Sequence, residues 1–455
     1  MKFIELLGRL KIAHKLPLYI VGAGFAVGIS IGVSTYLNAA KSLEEARRDQ
    51  LTTALEGRKS ALKTYFAGVE QDLDIVSSAV TTRWALMGFS EGWSELEEEA
   101  EIAPPAVLRQ LYIEDSPYAK GNRAALDAAD DDTTYSEVHG LYHPWFRAFS
   151  KKRGYADMFL FDDAGNVLYS VSKEADFATN IAEGEWSKTA LGEAFRAARN
   201  LTEEGEQVFV DFTDYAPRQG EPASFTATPV FDEDGELLGV LALQLPADHL
   251  NSILQQSAGL GRSGETYLVG SDSLMRSDSR FSNSSTILKH RIELGAVEGA
   301  LSGEQGATLE VDRDGRSVMA AFTAFDFKDV RWALIGQMDQ AEINEPVAEL
   351  GLQTAFISAL VMALLFVVGL LLTRDIVRPL CAILDAIGEF AKGNQATVPG
   401  EQRHDEIGEL ARSASSVYQR GLEAARLRAA LDGCSNMVMV ANRRSEIVYL
   451  NHALQ

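Results

Sequence analysis

Cysteine is almost missing from this chain, with two in 455 residues. That excludes a disulfide scaffold. Both, Cys381 and Cys434, fall late, so the long stretch before them must rely on a hydrophobic core. Histidine is scarce too: His14, His139, His143, His249, His290, His404 and His452. No pair stands at zinc spacing with Cys or carboxylate partners, and no metal site is expected. His139 and His143 are four apart, but Gly140 and Pro144 argue against a stable helix there. Positive charge is short, at 42 Lys and Arg against 65 Asp and Glu, a net of −23. A basic nucleic-acid-binding protein is disfavoured, and no nucleic acid is expected as a partner. Nucleophile elbow, Walker and kinase signatures are all missing. The expectation is a protein that is not an enzyme and takes no cofactor.

What is present is organised by two apolar blocks. Pro17 to Leu37 and Thr354 to Thr373 contain no charged residue. Each is about 20 residues, the length a helix needs to cross ~30 Å of hydrocarbon. A cleaved signal peptide is the rival reading of the first, but its apolar run is long for that and no clean A-x-A site follows Tyr36. A buried core helix is the rival reading of the second, but it lacks a polar face. Lys2, Arg9, Lys11 and Lys15 precede the first block, and Arg374 and Arg378 follow the second. The positive-inside rule puts both ends in the cytoplasm and residues 38–353 outside. The expected location is the inner (plasma) membrane, spanned twice. Residues 38–353 hold 28 Lys and Arg against 54 Asp and Glu, so the acidity belongs to the outer segment. Its size is ample for a core.

That segment begins with a long helix, expected over about 38–90. Leu55, Leu62, Val69 and Val76 repeat every seven residues, with Phe66, Leu73 and Val80 beside them. The stripe suits packing on its own domain or a dimer seam equally. Hairpins follow. Asp157–Phe161 and Val167–Val171 flank Asp162–Asn166; Phe225–Phe231 and Leu237–Leu245 flank Asp232–Gly235. Thr266–Val269, Thr308–Val311, Ser317–Phe325 and Trp332–Met338 continue the series, with a turn at Asp312–Gly315. Two hairpin clusters beside helices imply an α+β class and two similar units, about 91–250 and 251–345. The Asp/Gly turns lack EF-hand spacing and read as hairpin turns. Gly259-Leu260-Gly261-Arg262-Ser263-Gly264 satisfies G-x-G-x-x-G, but a helix-like segment precedes it and a strand follows. It reads as a turn into the second unit, not a dinucleotide site.

Tyr142-His143-Pro144-Trp145-Phe146-Arg147, Gly154 to Asp162, Lys173 to Asn180 and Gly264 to Gly270 lie in this layout. Together they resemble a double Cache sensor, two PAS-like units on a long helix between two membrane spans. The likeness covers roughly 40–345. Such a domain implies a small-molecule ligand. In Cache domains the region from Tyr142 to Asp157 of the membrane-distal unit borders the pocket. Tyr142, Trp145, Arg147, Tyr155 and Asp157 are the candidate ligand residues there, with Asp211, Tyr215 and Phe225 as a second polar-aromatic cluster. An Arg suits a carboxylate and an Asp an amine. The strict amino-acid-recognition motif of Cache domains does not stand out.

Past the second apolar block, Ile376, Leu380, Ile383, Ile387 and Phe390 are spaced as a heptad seam. After a polar connector from Gly393 to about Gln402, Ile407, Leu410, Ala414, Val417 and Gly421 repeat it. The pair, over about 374–425, resembles a HAMP domain. Pro379 and Asp405-Glu406-Ile407-Gly408 match its most characteristic positions. Pro379, Ile383, Ile387, Glu406, Ile407 and Leu410 are the candidate relay residues, and the resemblance implies a homodimer. Met437–Ala441, a turn at Asn442–Ser445 and Ile447–Leu450 resemble the opening of a PAS domain over 426–455. The chain stops at Gln455 before such a domain closes, so a fragment or a shortened gene product is expected. The whole layout is similar to that of bacterial chemoreceptors, which implies a chemotaxis histidine kinase and adaptor as partners through a region this chain does not contain. Sensor histidine kinases and diguanylate or adenylate cyclases share the same input end. A transport-associated binding module is disfavoured, since it needs no relay seam.

Overall fold

The computed structural model describes residues 12–99, 103–392, 394–436, 438–444 and 446–451. Lys2, Arg9, Lys11, Gly393, Met437, Ser445 and His452, which carried parts of the sequence reading, lie outside the described residues. The chain divides into two compact units, residues 40–346 and residues 1–39 with 347–455.

The first unit is built on residues 40–78 of α1 (Ile12–Ser78), a helix whose earlier part carries the first apolar block. Leu55, Leu62, Val69 and Val76 are all at most 2% exposed, and so are Phe66 and Leu73. The stripe therefore packs on its own domain, at ~1.5–3 kcal/mol for each large side chain removed from water. Leu51 and Leu55 lie against Gly336 of one sheet, while Phe66 packs on Phe209 of the other. The expected helix to about residue 90 is interrupted at Ala79, and α2 (Val80–Glu99) follows. Neither Gly nor Pro causes the break. The hydroxyls of Ser77 and Ser78 both donate to the carbonyl of Asp74, competing with the helical ladder. Val80, expected on the buried stripe, is consequently exposed.

After the short α3 (Pro104–Arg109) comes α4 (Thr134–Arg153). This corrects the expectation that Gly140 and Pro144 argue against a stable helix around His139 and His143. An interior proline costs ~3 kcal/mol. The helix is nonetheless held at both ends and along one face. Thr133 Oγ1 accepts from Ser136 N–H, and Gly154 closes the other end in the left-handed conformation at φ +82°. Tyr135, His139, His143 and Phe146 are fully buried, and that burial outweighs the proline.

Two antiparallel sheets follow, as the two hairpin clusters implied. The first has the order β2 (Val167–Ser170), β1 (Asp157–Phe161), β5 (Leu237–Leu245), β4 (Glu221–Phe231), β3 (Val208–Tyr215). One face, with Met158, Leu160, Leu241 and Leu243, joins the core around α1. The other, with Phe159, Phe161, Phe225 and Val240, is covered by α5 (Ala190–Arg199). Strand β3 was not expected, because its apolar residues are interrupted by Asp211, Thr213 and Asp214. Helix α6 (Ala247–Leu254) leads to the second sheet, β6 (Glu265–Val269), β9 (Val330–Asp339), β8 (Ser317–Phe327), β7 (Gly306–Val311), covered by α7 (Gly295–Leu301). The Asp turns are closed by their own backbone. Asp162, Asp232 and Asp312 each accept the N–H four residues on, at 2.7, 2.8 and 2.8 Å.

In the other unit, α8 (Gln340–Leu372) carries the second apolar block. Gly24 sits against Leu365, Gly32 against Thr354 and Gly351 against Tyr36, so small residues let two backbones approach. Helices α9 (Arg378–Ala391) and α10 (Glu406–Asp432) share a small core of Ile383, Ala386, Val398 and Ala411. Ile387 and Leu410 are over 40% exposed, and Ile407 is half-buried. Pro379 enters α9 without an N–H to donate, after a π-turn over Thr373–Val377. The carbonyl of Asp375, four residues back, accepts instead from Arg403 Nη2 at 3.1 Å. Arg403 also pairs with Asp405, which caps α10 by accepting from Gly408 N–H at 3.0 Å. A Cβ at Gly408 would meet Arg403 O at 2.1 Å. Strands β10 (Met439–Ala441) and β11 (Ile447–Leu450) form the expected hairpin.

Candidate functional site on the first sheet

Three of the eight expected ligand residues meet on the α5 face of the first sheet. Asp157 opens β1 and lies directly opposite Gln244 of β5, which lies opposite Phe225 of β4. Tyr215 ends β3 with its ring 4.9 Å from that of Phe225. All four are at most 3% exposed. A row of acid, amide and two aromatics thus runs across the sheet, close to one end.

The segment after β2 closes over this row. Asp157 Oδ1 accepts from the N–H groups of Met158, Val171 and Ser172, and Oδ2 accepts from Ser170 Oγ. Its carboxyl is spent on holding that segment, and burial still pushes its pKa up to about 6. Asp176, on the same segment, is fully buried and accepts from the Tyr215 hydroxyl through Oδ2. Burial raises its pKa to about 7. Lys173 is fully buried too, at φ +53°, and donates to the carbonyls of Ser170 and Val171. It lies over the rings of Tyr112 and Tyr169, and burial lowers its pKa to about 7. From outside, Arg109 holds the carbonyls of Ala175 and Phe177, and Arg123 holds that of Lys173.

Asp176 Oδ1 and Gln244 Oε1 are buried acceptors with no hydrogen-bond partner among the described residues. Trp186 packs on the same apolar cluster, and its Nε1 is likewise unpartnered. Each such group costs ~1–3 kcal/mol if left unsatisfied. Unpaired acceptors and a donor beside buried aromatic rings suit a small polar molecule bearing N–H donors.

The other expected residues are placed elsewhere. Tyr142, Trp145 and Arg147 are on α4. Trp145 is 43% exposed and stacks on Phe149, while Arg147 pairs with Asp127 at 2.7 Å and donates to the Ala124 carbonyl. Tyr155 donates to Asp72 of α1 at 2.6 Å. Asp211 ties the two sheets together: Arg276 Nε donates to it at 2.9 Å and Trp332 Nε1 at 3.0 Å. Sequence reasoning missed Gln244, Asp176, Lys173 and Trp186. Gln244 had a legible signal, the one polar side chain in Leu237–Leu245. His139 and His143 stack at 4.4 Å, and His143 bonds Tyr169 and the Ala124 carbonyl. Among the described residues no group of three His, Cys, Asp or Glu is placed to hold a metal.

Residues 39–347 match the family model described as the Cache domain. Similar solved structures include an extracellular ligand-binding receptor from Desulfohalobium retbaense, at 14% identity over 64% of this chain and a TM-score of 0.35; this chain spans 40% of that one. The ligand-binding domain of the Campylobacter jejuni chemoreceptor Tlp3 with 4-methylisoleucine is 13% identical over 67% of this chain and 95% of its own, at 0.41. That of the Pseudomonas aeruginosa amino acid chemoreceptor PctC with GABA is 20% identical over 56% and 95%, at 0.31.

Proposed function

The chain belongs to the Cache domain family, and from that premise we propose that it is a transmembrane chemosensory receptor, not an enzyme, that binds a small molecule outside the cell. The observation that carries this is the position of the Cache domain. It occupies residues 39–347, and both of its ends run into helices long and apolar enough to cross a membrane. The ligand site is the α5 face of the distal sheet, where Asp176, Gln244 and Trp186 offer unpaired polar atoms beside Tyr215 and Phe225.

Both ends of the chain are then cytoplasmic, in the inner membrane. Helices α9 and α10 act as a HAMP relay in a homodimer, with Pro379, Ile383, Ile387, Glu406, Ile407 and Leu410 at its working positions. The exposed Ile387 and Leu410 supply apolar surface for the partner copy. The β10–β11 hairpin opens a PAS unit, and the output is chemotactic, through a kinase and adaptor. Ligand binding shifts the equilibrium between two arrangements of the sensor, and the second span carries the difference inward.

The test is a thermal-shift screen of the full chain in lipid nanodiscs against organic acids, amines and amino acids. A ligand at 100 times its dissociation constant stabilises by ~2.7 kcal/mol. A hit lost in Asp176→Asn and kept in Trp145→Ala supports the distal site. No hit in any class sinks direct sensing.

A further inference from the structure

The two sheets are built on one plan. Strands β1, β5, β4 and β3 occur in the same spatial order as β6, β9, β8 and β7. The plan extends to side chains. Asp157 and Gln244 form the first register pair of β1 with β5, and Glu265 and Gln337 form the first register pair of β6 with β9. An acid and a glutamine therefore recur at the same place, on the helix-covered face of each sheet.

Their surroundings differ. Asp157 is consumed by three backbone N–H groups and Ser170. Glu265 is one methylene longer and accepts only from two neutral side chains, Gln337 Nε2 at 2.9 Å and Ser279 Oγ at 2.5 Å. The Tyr267 hydroxyl donates to Gln337 Oε1 at 2.8 Å and completes the chain. Glu265 is 8% exposed, and together with Tyr267 and Gln337 it lines a cavity of about 410 Å³.

The charges around this cavity are unequal in depth. Arg316 is neutralised by Asp312 at 2.8 Å and Asp314 at 3.5 Å. Arg291 and Arg313 are exposed. Glu265 and the half-buried Asp339 form no ion pair among the described residues. The interior of the cavity is thus acidic, and Glu265 lies deeper than the exposed Arg291 and Arg313.

We propose that this membrane-proximal cavity is a second binding site, for a small organic cation, with Glu265 as counter-charge and Gln337 and Tyr267 as its polar floor. This goes beyond the distal site and does not depend on it. The cavity also touches the support of α8. Ser263 and Asp339 line it; Ser263 Oγ accepts from Asp339 N–H at 3.1 Å and donates to Glu342, in the first turn of that helix, at 2.5 Å. An occupant therefore sits beside the contact that holds the helix leading to the second apolar segment.

The experiment is calorimetric titration of the full chain in nanodiscs with ethanolamine, putrescine and tetramethylammonium, and with acetate and succinate as anionic probes. At least one cation binds, and Glu265→Gln weakens it about tenfold or more, the loss expected of a charge-assisted contact. Gln337→Leu weakens it as well, and a melting curve close to the parent's certifies each variant as folded. Asp176→Asn, in the distal unit, leaves this affinity unchanged. The proposal is overturned if no cation binds, if the anions bind and Arg313→Ala abolishes them, or if Asp176→Asn costs as much as Glu265→Gln. The last result would assign the cation to the distal site, whereas failure of the distal site leaves the Glu265 effect intact.

Discussion

Ser263 donates twice to Oε2 of Glu342, from its backbone N–H at 2.8 Å and its hydroxyl at 2.5 Å. Arg262 N–H donates to Oε1 at 2.9 Å. The glycine-rich turn before β6 is thus an anion clamp whose anion belongs to the same chain. Gly261, at φ +63°, brings its backbone close enough that a Cβ would meet Glu342 Oε1 at 2.5 Å.

The clamp sets a pH dependence. Burial works against the Glu342 carboxylate, but the bonds from Arg262 and Ser263 prevail and lower its pKa to about 2. A depressed carboxyl pKa contributes stability above the ordinary value near 4.5, and that contribution is lost as pH falls toward about 2. Thermal melts across that window should show a slope for the parent and a shallower one for Glu342→Gln. Identical slopes would mean the clamp contributes nothing.

The distal acids have the opposite sign. Asp157 and Asp176, raised to about 6 and about 7, hold protons in the folded chain that the unfolded chain releases. Their contribution therefore declines as pH rises from near 4 to near 7. At ~1.4 kcal/mol per unit, Asp176 alone sets an upper bound of about 4 kcal/mol. Denaturant midpoints at pH 5 and pH 7.5 should differ less in Asp176→Asn than in the parent. A variant with the parent's full difference would remove Asp176 from the account.

Asp211→Asn should weaken the link between the sheets. Arg276 is 4% exposed and would lose one of its two carboxylates, at ~1–3 kcal/mol. The measurement is hydrogen exchange at β3 and β9, where protection should fall first. Uniform loss across both sheets would show a general destabilisation instead of a broken tie.

Ile383→Asp places a charge in the small core shared by α9 and α10, where Ile383 is 1% exposed. The local cost should be about 3 kcal/mol or more. Fused to a chemoreceptor signalling hairpin, this variant should lose ligand-dependent output while calorimetry returns the parent's affinity. Equal loss of affinity would refute the relay.

Pro379 and Arg403 should be coupled. Removing Arg403 leaves the Asp375 carbonyl without its donor, but Pro379→Ala returns an N–H to the ladder. A double-mutant cycle on melting temperature should therefore show a smaller effect of Arg403→Ala in the Pro379→Ala background. Additive effects would mean that Arg403 acts elsewhere.

Much of the architecture is written locally in the amino-acid sequence. Periodicity alone marked the stripe from Leu55 to Val76 as one helical face, and the absence of charge marked the two apolar blocks, because both depend on local spacing and composition. The Asp turns and the closing hairpin were equally local. Tertiary structure decided what sequence spacing does not encode. It set Gln244 opposite Phe225, brought Asp176 to Tyr215 and sent Arg147 to Asp127 and Asp211 to Arg276, since cross-strand register and side-chain partners are settled only when the sheets close. It kept α4 helical through Pro144, because buried aromatic area there exceeds the proline penalty. It also converted a glycine motif shaped like a phosphate loop into a holder for Glu342, because the anion within its reach lies about 80 residues along the same chain.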